Sequence, residues 1–511
     1  MGDLYFDENN NLVFSGLTID YVLCVGDGIP MPTPSITITP SITPSETPSL
    51  TPSETPSITP SETPSITPSE TPSLTPSETP SITPSETPSI TPSITPSETP
   101  SFTPTPSSSE IPVSTPSMTP TPTPTIPAPT GFKTEWTVAG NAAARTITLP
   151  FTNNGTYNAT VIWGDGSSNS TITTYNDADR IHTYASNGTY IIEIKGEAPG
   201  WSMSGGFPDA SKCTNIVNWG NSSGFGGFSY LSEGFKSSSI KSTGIGKIQA
   251  KNDLLYLSGT FLSCSSLTGI TAGIFDNCIN VIQMGNAFTG TQITGVPPDV
   301  FKYMTGLTNI YNLFEGCPYM TSSGFQSNMF NSLTGLTSIS GTFKGVPFTY
   351  IPDDLFKYNT KLSNLTTAFQ GCTSLTGITD ANMFNWITEA NIYPAAIFNG
   401  CSSLEVIPNG LFLNPGFKEM NNIFLDCNKL QLNPWTFYLN SGDTATRFLD
   451  KAIQFADSFK RSTFTGVQGT APDLWNCDFG TGSVYSVGTF GGTGNDGTSI
   501  SNYGDIPAGW K

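Results

Sequence analysis

The stretch Ala368-Phe369-Gln370-Gly371-Cys372-Thr373-Ser374-Leu375-Thr376-Gly377-Ile378 decides how the C-terminal half of this chain folds. Phe369 belongs to a series, Phe235, Phe261, Phe288, Phe314, Phe343, Phe369, Phe398 and Phe424, with steps of 26, 27, 26, 29, 26, 29 and 26 residues. A second series runs half a period later through Phe275, Phe301, Phe330, Phe356, Phe384, Phe412 and Phe437. Between the rings lie L-x-x-I signatures: Leu267–Ile270, Leu307–Ile310, Leu336–Ile339, Leu375–Ile378 and Leu404–Ile407. A period of this size marks a solenoid. One coil cannot bury its own apolar face, but stacked coils share a continuous core. The L-x-x-I segment reads as a short strand in a parallel sheet running along the stack. The Phe segment reads as a helical or 3-10 turn with its ring inward.

Six of the nine cysteines (Cys264, Cys278, Cys317, Cys372, Cys401 and Cys427) stand three residues after a Phe, on the ring's side of such a turn. They read as small buried hydrophobes with free thiols. A disulfide ladder between coils is the alternative. No CxxC pair exists, which excludes a zinc ribbon.

The F-x-G-C-x-x-L-T-x-I pattern, with Ile351-Pro352-Asp353-Asp354-Leu355-Phe356, resembles the BspA-like leucine-rich repeat proteins. That resemblance covers roughly 230–511 and implies a surface or phage protein engaged in adhesion. Gly469–Trp475 and Ser501–Lys511 look like closing coils, with Trp510 capping the stack. One departure is Thr444–Lys460, longer than a coil, where Phe448, Ala452, Phe455 and Phe459 read as a short helix.

Upstream, the chain changes character twice. Residues 131–200 carry β-rich runs (Thr146–Leu149, Ala159–Trp163, Thr171–Thr173, Thr189–Ile194) separated by Asn153-Asn154-Gly155, Gly164-Asp165-Gly166 and Asn187-Gly188 turns. Trp163-Gly164-Asp165-Gly166 together with His182-Thr183-Tyr184 and Gly188-Thr189-Tyr190 resembles the polycystic-kidney-disease (PKD) domain, which implies an immunoglobulin-like β-sandwich used as a spacer or interaction module. The resemblance gives His182, the only histidine, a structural strand position rather than a catalytic one. Asp165, Asp177 and Asp179 form a weak calcium candidate.

From Ser41 to Pro104 the chain repeats Ser-x-Thr-Pro. Proline at every fourth residue fixes φ and removes a donor, and it pushes the preceding residue out of the helical region. Extended polyproline-II with turns remains, and roughly 200 Å of reach at about 3.1 Å per residue. A glycosylated stalk and an SH3-type ligand are the alternatives. Residues 1–30 carry a hairpin signal, Leu4-Tyr5-Phe6 and Leu12-Val13-Phe14 around Asp7–Asn11. So short a piece buries little core alone. It is expected to pack on a partner or on its own copies, with a loose tag as the alternative.

The expected fold class is therefore mainly β with short helical turns: an anchoring segment (1–30), a Pro/Ser/Thr stalk (31–130), a PKD-like sandwich (131–200), a repeat solenoid (201–440), and divergent repeats with a cap (441–511). Charged residues are only 12% of the 511, and the net charge is −19. Nucleic acid and anionic membrane surfaces are unfitting partners for so acidic a chain. No run approaches the roughly 20 apolar residues of a membrane span. The N-terminus shows no basic and apolar export signal. This favours a phage structural protein, a tail fibre or capsid decoration, over a bacterial surface adhesin.

No catalytic motif or cofactor signature stands out, so no enzyme and no cofactor is expected. Acid pairs such as Asp353-Asp354 read as caps of turns. A glycosidase pair, and with it a polysaccharide depolymerase, is the distant alternative. The expected partners are a host-surface polysaccharide or protein for the repeats and other virion proteins for residues 1–30. A homo-oligomer, a trimer above all, stays open. The weak binding candidates are Tyr303, Tyr311, Tyr319, Tyr350, Tyr358 and Tyr393, with half of them expected to pack against the next coil.

Overall fold

The computed structural model describes residues 128–463, 469–492, 494–497 and 499–511 in full, and the backbone of three short strands near the N-terminus. These are β1 (Leu4–Phe6), β2 (Leu12–Phe14) and β3 (Leu17–Thr18), an antiparallel set with Leu4 opposite Phe14 and Val13 opposite Thr18. They belong to a first unit, and everything that follows concerns the second, Thr115–Lys511. The expected stalk lies outside the described residues.

Residues 132–218 form a small β-sandwich. One layer is the antiparallel sheet β10-β4-β9-β6-β7, built of β4 (Phe132–Val138), β6 (Asn158–Ile162), β7 (Ser170–Ile172), β9 (Gly188–Glu197) and β10 (Cys213–Asn218). The other is the pair β5 (Thr146–Thr148) and β8 (Ile181–Thr183). Period-two alternation puts Phe132, Thr134, Trp136 and Val138 inside. The sheet corrects a boundary at 200: β10, which the sequence division leaves to the repeats, is the edge strand beside β4.

Beyond Asn218 the chain winds into coils held by single-residue parallel bridges. One ladder runs Tyr256, Gln283, Asn309, Ser338, Asn364, Tyr393. A second, on the other half of each coil, includes Gly377 with Val406 and Leu432 with Gly469. Each coil thus carries two L-x-x-I contacts and two Phe turns, rather than one strand opposed to one helical turn. The first Leu and last Ile of each signature are buried, Leu307 and Ile310 completely. Among the described residues there is no α-helix, only 3-10 turns.

The Phe turns of the first series send their backbone donors in two directions. Leu257, Gly259, Phe261 and Ser263 donate to Gln283, Gly285, Ala287 and Thr289 of the next coil at 3.0, 2.8, 2.9 and 2.8 Å. The residues between them, Thr260, Leu262 and Cys264, fold back to Leu257, Gly259 and Phe261 at 3.3, 3.0 and 3.1 Å. Alternating the two directions pairs these seven N–H groups, as burial requires. The geometry demands left-handed backbone two residues before and two after each ring of the first series. Thr367 (φ 56) and Gly371 (φ 70) flank Phe369, and Asn422 (φ 58) and Asp426 (φ 57) flank Phe424. Gly, Asn and Asp recur there because they tolerate that region. A Cβ on Gly371 would meet only Gly345, at 3.8 Å, so its constraint is conformational and not steric. We expect Gly371→Val to cost about 1–2 kcal/mol and Thr367→Asn to gain about 0.5–1 kcal/mol in urea unfolding, since Thr is the strained occupant.

The rings stack into columns. Phe235, Phe261, Phe288, Phe314, Phe343, Phe369, Phe398 and Phe424 follow one another at centroid spacings of 5.3–6.0 Å with planes 8–19° apart. The first column continues through Phe459 (5.5 Å) to Phe490 (5.3 Å). This corrects the helix expected over Thr444–Lys460. The segment is a longer coil with a 3-10 turn at Ser441–Ala445 and the strand β11 (Ile453–Gln454), which pairs in parallel with β12 (Val484–Tyr485). Trp510 is buried, and its ring lies 6.0 Å from Phe455.

The described cysteines are free and buried. Five of them donate S–H to the Phe carbonyl of the preceding coil: Cys264 to Phe235 at 2.9 Å, Cys317 to Phe288 at 3.1 Å, Cys372 to Phe343 at 3.3 Å, Cys401 to Phe369 at 3.2 Å and Cys427 to Phe398 at 3.1 Å. Burial pushes the Cys264 thiol up to about 12, so it is unreactive.

Candidate binding surface

The first ladder defines a continuous face. Its outward positions sit between buried ones, because an L-x-x-I segment turns its first and last side chains into the core. From Tyr256 the face passes Gln283, Asn309, the buried Ser338 and Asn364 to Tyr393; the next bridge joins Ile392 to Phe417, and Glu419–Gln454 and Gln454–Tyr485 carry the ladder through the last coils. The polar side chains are ordered by their own backbone: Asn309 Oδ1 accepts from Tyr311 N at 3.0 Å, and Asn364 Oδ1 from Thr366 N at 3.1 Å. Tyr311 lies across Gly285, where a Cβ would stand inside its ring. At the C-terminal end the face deepens into a groove of about 710 Å³ lined by Tyr393, Lys418, Glu419, Gln454 and Tyr485.

The six candidate tyrosines do not form one site. Tyr311 and Tyr393 belong to the first ladder. Tyr303 and Tyr358 stand two residues after rings of the second Phe series, a position also taken by Trp386. Lys302 sits 5.4 Å over Tyr303, and Lys357 5.5 Å over Trp386. Tyr319 and Tyr350 lie on the side of the second ladder. Only Tyr311 is half-buried and the other five are exposed, so fewer pack against a neighbouring coil than the sequence suggests. Sequence reasoning missed Tyr256 and Tyr485 on the ladder; the position before the last apolar residue of a signature marks Tyr256, beside Leu257, whereas Tyr485 precedes Ser486 and carries no such mark.

The acidic candidates are spent on local structure. Asp165 accepts from Ser167 N and Oγ at 3.0 and 2.5 Å and lies 2.8 Å from His182 Nε2. His182 stacks on Trp163 at 4.7 Å. Asp177 accepts from Thr173 N and Asp179 N at 3.0 and 3.1 Å. Among the described residues no group of three or more His, Cys, Asp or Glu is placed to hold a metal. Asp353 and Asp354 are not simple caps either. Asp354 has φ 61, its N–H donates to Asp380 at 3.0 Å, and Asp353 accepts from Thr379 at 2.7 Å, so the pair ties two coils together.

Burial alone would raise Asp165, but the Ser167 hydrogen bonds and His182 outweigh it and hold the carboxyl down at about 2. The folded value is below the unfolded one. Its stabilisation is therefore fully present above about pH 4 and lost as pH falls through about 2. The sandwich is expected to lose stability across that acid window in circular-dichroism melts, and Asp165→Asn to flatten the loss.

No protein-family model matches the sequence, and no curated protein matches it. Solved structures of leucine-rich repeat proteins are distantly similar. One from Bacteroides ovatus is 16% identical over 61% of this chain and 83% of its own, with a TM-score of 0.20. One from T. pallidum is 14% identical over 37% of this chain and 75% of its own, with a TM-score of 0.12. The Toll–Spatzle complex of Drosophila is 12% identical over 45% of this chain, with a TM-score of 0.19, and the match spans only 31% of that chain. The class is a mainly β repeat protein with distant likeness to leucine-rich repeat folds. Among the described residues no helix is long and apolar enough to cross a membrane.

Proposed function

We propose that this chain is a recognition protein of a phage virion, a tail fibre or capsid decoration, which attaches to a host-surface polysaccharide or protein and is not an enzyme. The observation that carries the reading is the first-ladder face, where amides and tyrosine rings recur from Tyr256 to Tyr393 around the buried Ser338 and, past the Ile392–Phe417 bridge, Glu419, Gln454 and Tyr485 follow. Such a surface suits an extended, largely uncharged polymer laid across successive coils. The Pro/Ser/Thr segment supplies reach, and residues 1–30 the attachment to other virion proteins.

Two finer family readings belong to the proposal. The motif residues of the PKD-like segment meet in space: Trp163 stacks on His182, Tyr184 donates to Trp163 O at 2.9 Å, and Tyr184 stacks on Tyr190 at 3.9 Å. The ring, the left-handed Gly and the carbonyl-bound Cys of the BspA-like pattern each have a place in the coil, which supports that reading.

A bacterial surface adhesin is the second reading. The eight free buried thiols among the described residues favour the virion, because a chain folding in a reducing cytoplasm keeps them. Mass spectrometry of purified virions against cell envelopes separates the two: peptides confined to envelopes would overturn the virion assignment. Incubating full-length protein with host capsule tests the absence of cleavage, and shortened polysaccharide would establish a depolymerase instead.

A further inference from the structure

Three successive coils meet near the C-terminus on the second-ladder side. Leu432 and Gly469 form a parallel bridge, and Ser501 donates to Gly469 O at 3.0 Å. Here the repeat is irregular: Phe424 and Phe459 are 35 residues apart, against 26–29 in the coils before them and 31 from Phe459 to Phe490. The extra chain, including the 3-10 turn Ser441–Ala445, stands up as a wall. Insertions into a repeat fall on one face, often the binding face. Together with the coils it borders a cavity of about 310 Å³, open to solvent on one side and lined chiefly by Trp435, Tyr438, Asp473, Trp475, Asn502 and Asp505.

The lining is pre-organised. Tyr438 is buried, and its hydroxyl accepts from Asp473 N at 2.8 Å. Asn476 donates to both Asp473 oxygens, at 2.8 and 2.9 Å. Asn502 exchanges hydrogen bonds of 2.9 and 3.1 Å with the Ala471 backbone. Trp435 packs edge-on to Tyr438 at 5.9 Å, and Trp475 edge-on to Phe490 at 6.0 Å. Both indoles are half-buried, with rings that line the cavity. Asp505 is exposed, with a carboxylate free to accept. No Lys or Arg lines the cavity.

We infer that this cavity binds a neutral pyranose residue of a surface glycan. Flat indole faces take the C–H face of a sugar ring, and fixed carboxylates and amides accept and donate to its hydroxyls. Two carboxylates without a cation repel uronate, sialate and phosphate. A quaternary ammonium would also suit aromatic rings beside a carboxylate. The hydroxyls of Ser441, Thr444 and Thr470 and the Asn502 amide on the walls match a ligand rich in hydroxyls better than one clad in methyl groups. The inference adds a second site, on the other ladder from the proposed face, and its choice of a surface glycan rests on the recognition reading.

The test uses the full-length chain on a glycan array of neutral hexosides, N-acetylhexosaminides, uronates and sialosides, followed by calorimetry with the best methyl glycoside and with choline. Neutral pyranosides are expected to bind. Asp505→Ala and Trp435→Ala are each expected to weaken binding at least tenfold. Asp505 is exposed, so Asp505→Ala keeps the wild-type melting temperature and separates binding from folding. Three results would overturn the inference: no neutral glycan bound, binding unchanged in both variants, or preference for uronate, sialoside or choline. Cell attachment of the same proteins separates this inference from the recognition reading. Attachment that survives both substitutions removes the cavity and keeps adhesion, whereas glycan binding without any attachment of the wild type does the reverse.

Discussion

Phe369→Ala is expected to destabilise the solenoid by about 3–5 kcal/mol, the range for truncating a fully buried phenylalanine. Phe369 has no exposure and stacks on Phe343 at 5.3 Å and on Phe398 at 5.6 Å, with Phe356 edge-on at 6.4 Å. The deletion removes both stacking contacts of a mid-column ring and leaves a cavity between coils that cannot close up, because the interlayer hydrogen bonds fix their spacing. Coils interact only with their neighbours, so the loss is expected to split one urea transition into two, one for each flank. Tyr358→Ala, at an exposed position two residues beyond a ring, is the control and is expected to stay within about 0.5 kcal/mol of wild type. A loss below about 1 kcal/mol for Phe369→Ala would mean that the columns do not hold the stack.

The periodicity was legible because burial of the ring is the strongest constraint in each coil. Phenylalanine is conserved in position even where Cys372 is replaced by Val346 or Thr291 at the equivalent place. The left-handed residues were less legible. Their positions are filled by Gly371, Thr367, Asn312, Ala396 or Asp426, a set united by backbone angle and not by side-chain character. The helix expected at 444–460 arose from the same ambiguity. Phe448, Phe455 and Phe459 fall at helical spacing, but Asp457 (φ 54) and Gly488 (φ 67) carry the left-handed mark two residues before Phe459 and Phe490. Reading that mark beside the ring would have extended the column by two coils.

The binding surface was less legible than the fold. Exposure in a solenoid depends on which of two ladders a residue joins, and a tyrosine count along the sequence carries no such information. Tyr303, Tyr319 and Tyr393 are all exposed, yet they lie on three different sides. The cavity bounded by Trp435 and Trp475 draws on residues from 434 to 505 and exists only because an irregular coil raises a wall. Its sequence signal was the broken period itself, which marks an insertion without saying what it encloses.

Trp219→Ala is expected to have the second large effect, about 4–6 kcal/mol, and to strike the sandwich and the repeats together. Trp219 is fully buried where β10 leaves the sandwich, and its indole N–H donates to Thr243 O at 2.7 Å. Its ring stacks on Phe132 of β4 at 5.5 Å and meets Phe228 and Phe235 edge-on at 6.0 and 5.8 Å. Phe132 in turn touches Trp201, Phe225, Phe228 and Phe235, so a strand of the sandwich and the first rings of the solenoid share one aromatic core. Truncation opens a cavity and also orphans the buried Thr243 carbonyl, so two costs add. Trp219→Phe keeps most of the ring and loses only the donor, and should cost about 1–2 kcal/mol. The sandwich therefore acts as more than a spacer: it covers the apolar end of the first coil, the office a capping repeat fills in other solenoids. Hydrogen exchange would read this directly, as faster exchange in Trp219→Ala at both the β4 amides and those near Phe235. If only one of the two regions loosened, the sandwich and the solenoid would be separate folding units and the shared core no more than a contact.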